Sequence, residues 1–241
     1  MAKNTQTYPK MKENRIKFAK RTINWTAEAW KKVLWSDESP FELFSLPNCQ
    51  NDRVWSKSTT KVEPCLRVKF HPKIQVWGMI SFQSVSELHI IPKGQMVNGA
   101  YYRDSILTDT CMAAIKRKAK TGTILEKAML PNRSEFFFMQ DGAPAHTAKL
   151  TQQWCAENLP NFWRKEDWPG NSPDLNPIEN VWGYLKDNMT NMKEVSTLMG
   201  LEKNLKKAWR SIPNDFLENL VSSMPNRVRR VLQCNGEYVN K

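Results

Sequence analysis

The chain has 241 residues, 40% of them hydrophobic and ten of them tryptophan, enough for one large domain or two small ones and too apolar for disorder. No apolar run approaches the roughly 18 residues of a membrane span, which argues against a transmembrane helix, and the N-terminus MAKNTQTYPKMKENR has no apolar core and does not read as a signal peptide. A net charge of +12, with a pI of about 9.5, favours a polyanionic partner, nucleic acid first and an acidic membrane surface second.

Met1 to Lys12 is polar and reads as a loose tail or linker. Glu13 to Arg21 reads as a short basic helix with Lys17, Lys20 and Arg21 outward, so residues 1–24 are set apart as a basic N-terminal segment. Thr26 is a helix N-cap ahead of Ala27, Glu28, Trp30 and Val33 at helical spacing. A first strand is predicted over Leu34 to Asp37, and a second, antiparallel one over Phe41 to Phe44. Arg53 to Trp55 offers a further short strand. Ser56 to Pro72 is basic, lacks periodicity and contains two prolines, the pattern of a functional or mobile loop. Lys73 to Ile80 is predicted as an interior strand and Glu87 to Ile91 as another, with His89 packed between apolar neighbours. Asn98 opens a helix to Lys118, with Tyr101, Tyr102, Ile106, Leu107, Met112 and Ile115 as its apolar stripe. Its basic end, Lys116 to Lys120, complements the helix dipole and also fits a phosphate contact or a nuclear-import signal.

Phe136 to Met139 is a short aromatic run that suits a strand buried on both faces. Thr147 to Asn158 is helical, with Leu150, Trp154 and Leu159 inward, and Asn161 to Trp163 makes a short last strand. Asn176 to Met189, Leu198 to Trp209 and Phe216 to Leu232 are helices, the last kinked or split at Pro225. The order of elements is that of an α/β fold with a mixed sheet.

Three carboxylates stand out. Asp141 ends the run from Phe136, where open α/β sheets place their chemistry, although an Asp before Gly is also an ordinary turn residue. Asp37 ends the first predicted strand beside Glu38, and on a strand those two side chains face opposite ways. Glu179 lies three residues into Asn176-Pro177-Ile178-Glu179, which by itself reads as a capping box. Held together, the three would hold Mg²⁺, a hard cation bound by one or two carboxylates plus substrate phosphate, and two such ions serve in-line displacement at phosphorus. Asp174 reads as a turn residue, and His146 as a packed side chain or a contact to substrate or ligand, outside the catalytic set. Five scattered cysteines, odd in number and without a CxxC pair, argue against a disulfide framework or a zinc site and suit a reducing compartment.

SDESPFELF, FFFMQDGAPAHTA and DWPGNSPDLNPIENVWGYLK together resemble the three catalytic blocks of the Tc1/mariner transposases, within the RNase H-like DDE superfamily, and ENRIKFAKRTINWT resembles the segment before the first block. The resemblance runs from about Glu13 to about Lys186. It selects Asp37 over Glu38 and a catalytic Glu179 over a capping one. It implies an RNase H-like mixed five-stranded sheet flanked by helices over residues 25–190, with residues 191–241 as a C-terminal helical extension packed on the core. It also implies metal-dependent cleavage of DNA at transposon ends and transfer to TA targets, with Asp37, Asp141 and Glu179 holding two Mg²⁺ (or Mn²⁺) ions. A homodimer and a nuclear location follow from the same likeness. The 37 residues between Asp141 and Glu179 exceed the common Tc1-like spacing and suggest a DD37E-like branch. No room is left for the family's two N-terminal helix-turn-helix units. The expectation is therefore an isolated catalytic domain, a truncated product or a domesticated remnant, binding DNA through charge with steep salt dependence. The alternatives are a non-catalytic nucleic-acid-binding remnant and a metal-dependent nuclease that never joins strands.

Overall fold

A computed structural model of the protein describes residues 9–43, 72–118, 124, 127–130, 132, 134–190 and 195–239. The strand reading at Arg53 to Trp55 and all but the last residue of the basic loop Ser56 to Pro72 lie outside these residues.

Strand β1 (Val33–Glu42) organises the sheet. Its Val33, Trp35 and Phe41 enter one apolar core and its Leu34 the other. Strand β2 (Lys73–Ile80) sends Ile74, Val76 and Ile80 to the first core and Trp77 and Met79 to the second, the two-residue period of a strand covered on both faces. With β3 (His89–Ile91), β4 (Phe137–Met139) and β5 (Asn161–Phe162) they form a five-stranded sheet in the order β3-β2-β1-β4-β5. The pairs β1–β2 and β2–β3 are antiparallel, β1–β4 and β4–β5 parallel, so the sheet is mixed, as expected.

One correction concerns β1. Two antiparallel strands were expected across residues 34–44, but Val33 to Glu42 is one strand that pairs with β2 along its length from Trp35. Pro40 fits within it because β4 reaches only Trp35, so the opposite edge of β1 is open there and a missing N–H breaks no ladder.

The first core lies under α1 (Pro9–Thr22), α2 (Ala27–Lys31), α7 (Pro177–Thr190), α8 (Leu198–Arg210), α9 (Asn214–Ser222) and α10 (Met224–Gln233). Thr26 accepts from the Ala29 N–H as the N-cap of α2, and Pro225 sits in the first turn of α10, where the predicted last helix divides. Helix α1 begins inside the stretch set apart as a basic segment, yet its Arg15, Phe18 and Ala19 are buried.

The second core lies under α3 (Gly99–Tyr101), a π-helical stretch (Tyr102–Cys111), α4 (Met112–Lys116) and α6 (Lys149–Asn158). Asn98 caps α3 through its side chain, as predicted. The π-helical turns that follow were not: Thr108 and Thr110 hydroxyls donate to the Arg103 and Ser105 carbonyls five residues back, at 2.7 and 3.1 Å, widening the helix. In α6 the buried side chains are Thr151 and Cys155, while Leu150 is 60% exposed against expectation. Ala148 is extended between α5 (Pro144–Thr147) and α6, which resets the helical phase. Arg117 is structural, donating to the Lys127 and Val85 carbonyls and to Ser84 Oγ.

Candidate active site

Strands β1 and β4 run parallel with Trp35 beside Met139, and continuing that register by two residues on each strand sets Asp37 beside Asp141. Asp37 is therefore not at a strand end, as expected, but in mid-strand, just past the point where β4 stops and the chain turns away through Gly142-Ala143-Pro144. The gap that opens beside β1 is the crevice at which a parallel α/β sheet collects ligands.

Asp37 faces the first core, on the side of Val33 and Trp35, and Trp182 Nε1 donates to its Oδ2 at 3.2 Å. Burial, then the charges of Glu179, Glu38 and Asp141, push its carboxyl up to about 8. Glu179 and Asp141 thus both act on Asp37, although the three come from separate segments of the chain.

Asp141 is half exposed, and its turn reading holds. Its Oδ1 accepts the Ala143 N–H at 2.9 Å, an Asx turn, and pairs with His146 Nδ1 at 2.6 Å. Burial works to raise this carboxyl, but the bond and charge of His146 and the Ala143 N–H hold it below the ordinary aspartate value.

His146 is 3% exposed, tilted 36° against the Tyr102 ring at 4.1 Å, with Nε2 at 3.2 Å from Glu38 Oε1. Burial opposes its charge, yet the bonds to Asp141 and Glu38 prevail and push it up to about 10. Glu38 does face away from Asp37, as strand alternation requires, and it reaches Asp141 through this imidazolium. Sequence reasoning missed that link. Its signal was a histidine in the first turn after Asp141, beside a second acid next to Asp37.

Glu179 stands in the first turn of α7, and the capping box predicted for it is not formed: the buried Asn176 Oδ1 accepts no hydrogen bond. Asn176 Nδ2 instead donates to the Ser36 carbonyl at 3.4 Å, tying the start of α7 to β1 one residue from Asp37. Asp174 is likewise no mere turn residue. It is buried, pairs both oxygens with Arg15 at 2.8 and 2.6 Å, and accepts the Val239 N–H.

Among the described residues no three His, Cys, Asp or Glu side chains are grouped so as to hold a metal ion. A magnesium-type ion needs only one or two protein carboxylates and completes its shell with water and substrate phosphate. The repulsion that Glu179, Glu38 and Asp141 add to burial at Asp37 is what a bound cation would relieve.

The sign of the Asp37 shift sets a pH dependence. Its folded pKa is about 8 against an ordinary 3.8, so the folded protein binds the proton more tightly. The associated stability is complete below about 4 and is lost as pH rises toward 8. Thermal melts in chelator at pH 5 and pH 8 should show Asp37→Asn gaining on the wild type as pH rises. A difference independent of pH would show that Asp37 is not so perturbed.

The family profile described as DDE superfamily endonuclease matches residues 32–202. The Tc1 transposase of Caenorhabditis elegans is 30% identical over 230 residues, covering 94% of this chain and 76% of that protein. The Tc3 transposase of the same organism is 29% identical over 234 residues, covering 95% of this chain and 63% of that protein. Among solved structures, the Mos1 transposase paired-end complex with left transposon end superposes with a TM-score of 0.77 at 15% identity, over 98% of this chain and 66% of that one. The Mos1 mariner catalytic domain alone gives 0.69 at 14%, over 98% of both chains. The present chain thus spans about two thirds of the longer Mos1 chain and nearly all of its catalytic domain, and the sheet and its flanking helices are RNase H-like. By its sequence match and its fold, the chain belongs to the DDE superfamily endonucleases, as a DDE transposase catalytic domain of the Tc1/mariner type.

Proposed function

We propose that Asp37, Asp141 and Glu179 are the catalytic carboxylates of a divalent-metal-dependent polynucleotidyl transferase that cuts DNA at transposon ends and joins the freed 3′-hydroxyl to TA target sites. The observation that supports this reading is the register that sets Asp37 of β1 beside Asp141 of the turn after β4, with burial first and then the charges of Glu179, Glu38 and Asp141 pushing Asp37 up to about 8. Solved Mos1 paired-end complexes with Mn and with Mg support Mg²⁺ or Mn²⁺ as the ion. The chemistry such an ion supplies is activation of the attacking oxygen and neutralisation of the leaving one in an in-line displacement. The protein's part is to hold the three carboxylates in place: Trp182 on Asp37, His146 and the Ala143 N–H on Asp141, Asn176 on the base of α7. The surplus of positive charge supports a DNA backbone partner. Action as a homodimer on paired ends, inside the nucleus, belongs to the same proposal.

Glu179→Gln is the discriminating test, because glutamine keeps the size and polarity of the side chain in the first turn of α7 but is a poor ligand for a hard cation. On a pre-cut DNA duplex in Mn²⁺, the wild type should cleave and join, while Glu179→Gln should lose about 10²-fold or more with melting unchanged within about 2 °C. A variant that cuts as well as the wild type would return Glu179 to a structural role. A wild type that binds DNA with steep salt dependence yet neither cuts nor joins would favour a non-catalytic remnant.

A further inference from the structure

The side chain that fixes Asp37 is itself held from several directions. Trp182 is 1% exposed, and besides its bond to Asp37 Oδ2 it stacks on Trp209 with centroids 5.2 Å apart and planes at 22°. Phe41 meets it edge-on at 6.0 Å. Both indoles lie over Gly78, the residue paired with Asp37 across β1 and β2. A Cβ at position 78 would come within 2.7 Å of Trp182 and 2.8 Å of Trp209, so the missing side chain makes the room that the indole pair occupies beside Asp37. Trp209 is pinned in turn, its Nε1 donating to the Ser86 carbonyl at 2.8 Å. It belongs to α8, beyond residue 202 where the family match ends.

An indole hydrogen bond is not the rule in this interior. Trp30, Trp35 and Trp77 are equally buried, and their Nε1 atoms find no partner among the described residues. The hydrogen-bonded pair is at Asp37.

We infer that Trp182 is a positioning residue for Asp37, held in place by Trp209, so that the C-terminal helices form part of the catalytic apparatus rather than a mere covering of the core. This rests on the reading of Asp37 as a metal ligand. A carboxylate whose orientation is fixed by an indole N–H loses less freedom on meeting a cation, and removing such supporting partners typically weakens metal binding by about 10–100-fold.

The test is Mn²⁺ binding to the full chain, followed through the resonance signal of free Mn²⁺, with melting temperatures measured in parallel. Trp182→Phe keeps a ring over Gly78 and against Trp209 but removes the donor. It should bind Mn²⁺ about 10–100-fold more weakly while remaining folded. Trp209→Phe, which leaves the Trp182 donor intact, should show a smaller loss in the same direction. Should Trp182→Phe fail to fold, the ¹⁵N-labelled wild type decides: at least one indole N–H signal should shift saturably with Mg²⁺, and should not do so in Asp37→Asn. Unchanged Mn²⁺ affinity in a folded Trp182→Phe, or indole signals indifferent to Mg²⁺, would overturn the inference while leaving the three-carboxylate reading intact. A wild type that binds no Mn²⁺ would overturn both.

Discussion

Asparagine in place of Asp141 is expected to lower metal-dependent DNA cleavage by about 10³-fold or more while the fold survives. The amide keeps an oxygen where Asp141 Oδ1 now accepts the Ala143 N–H, so the turn leading into α5 is preserved. What disappears is the negative charge. A divalent ion contributes several kcal/mol of charge stabilisation to phosphoryl displacement, and each 1.36 kcal/mol is about tenfold in rate, so loss of a ligand spans roughly three decades. Stability should hardly fall in the metal-free protein, because Asp141 is one of the charges that burden Asp37. His146 loses the charged partner that does most to raise it, so its pKa should drop from about 10. Single-turnover cleavage of a pre-cut duplex, with melting curves alongside, checks both halves. Activity within a few-fold of the wild type would remove Asp141 from the catalytic set.

The second large effect lies away from the chemistry. Arg15→Met should destabilise the protein by about 3–5 kcal/mol, because it strands the Asp174 carboxylate in the interior. The Arg15 side chain is fully buried and that of Asp174 is 6% exposed. The same guanidinium also donates to the Gly236 and Glu237 carbonyls, at 2.9 and 3.0 Å, joining α1, the turn before α7 and the C-terminal tail. The tail crosses α1 so closely that a Cβ on Gly236 would meet the Lys12 carbonyl oxygen at 2.6 Å, and its φ of +81° suits glycine. For a chain of this size the loss corresponds to a fall of roughly 10 °C in Tm. Chemical denaturation of Arg15→Met, Asp174→Leu and the double variant gives the coupling directly. The double variant should recover much of the loss, since an apolar pair leaves no buried charge behind. A single variant as stable as the wild type would show the pair to be incidental. Arg227 adds to the expectation, donating to the Asp174 carbonyl and to Asn180 Oδ1, beside Glu179. Loss of the ion pair should therefore also loosen the start of α7.

Much of this protein is written in neighbouring residues. Alternating apolar side chains mark β2, Thr26 and Asn98 announce the helices they cap, and Pro225 divides α9 from α10. The three acidic blocks with their flanking motifs identify the family, because short strings of residue types suffice for that. These features are local, set by backbone sterics, capping bonds and periodicity within a few residues.

The site itself was decided by tertiary structure. Asp37 meets Trp182 across 145 positions of sequence, His146 meets Glu38 across 108, and Arg15 meets Asp174 across 159. Such partners follow from strand register and helix docking, which no window of the sequence contains. The capping-box motif at Asn176 shows the difference most plainly. Its residue types satisfy the local rule, yet the Asn176 amide turns to the Ser36 carbonyl because α7 is docked against β1, and Glu179 is brought to Asp37 instead. The sequence by itself determined the family, the mixed sheet and the candidate carboxylates. Only the packed sheet and helices decided which side chains hold those carboxylates in place, because hydrogen bonds and buried charges are settled between segments that meet only after the chain has folded.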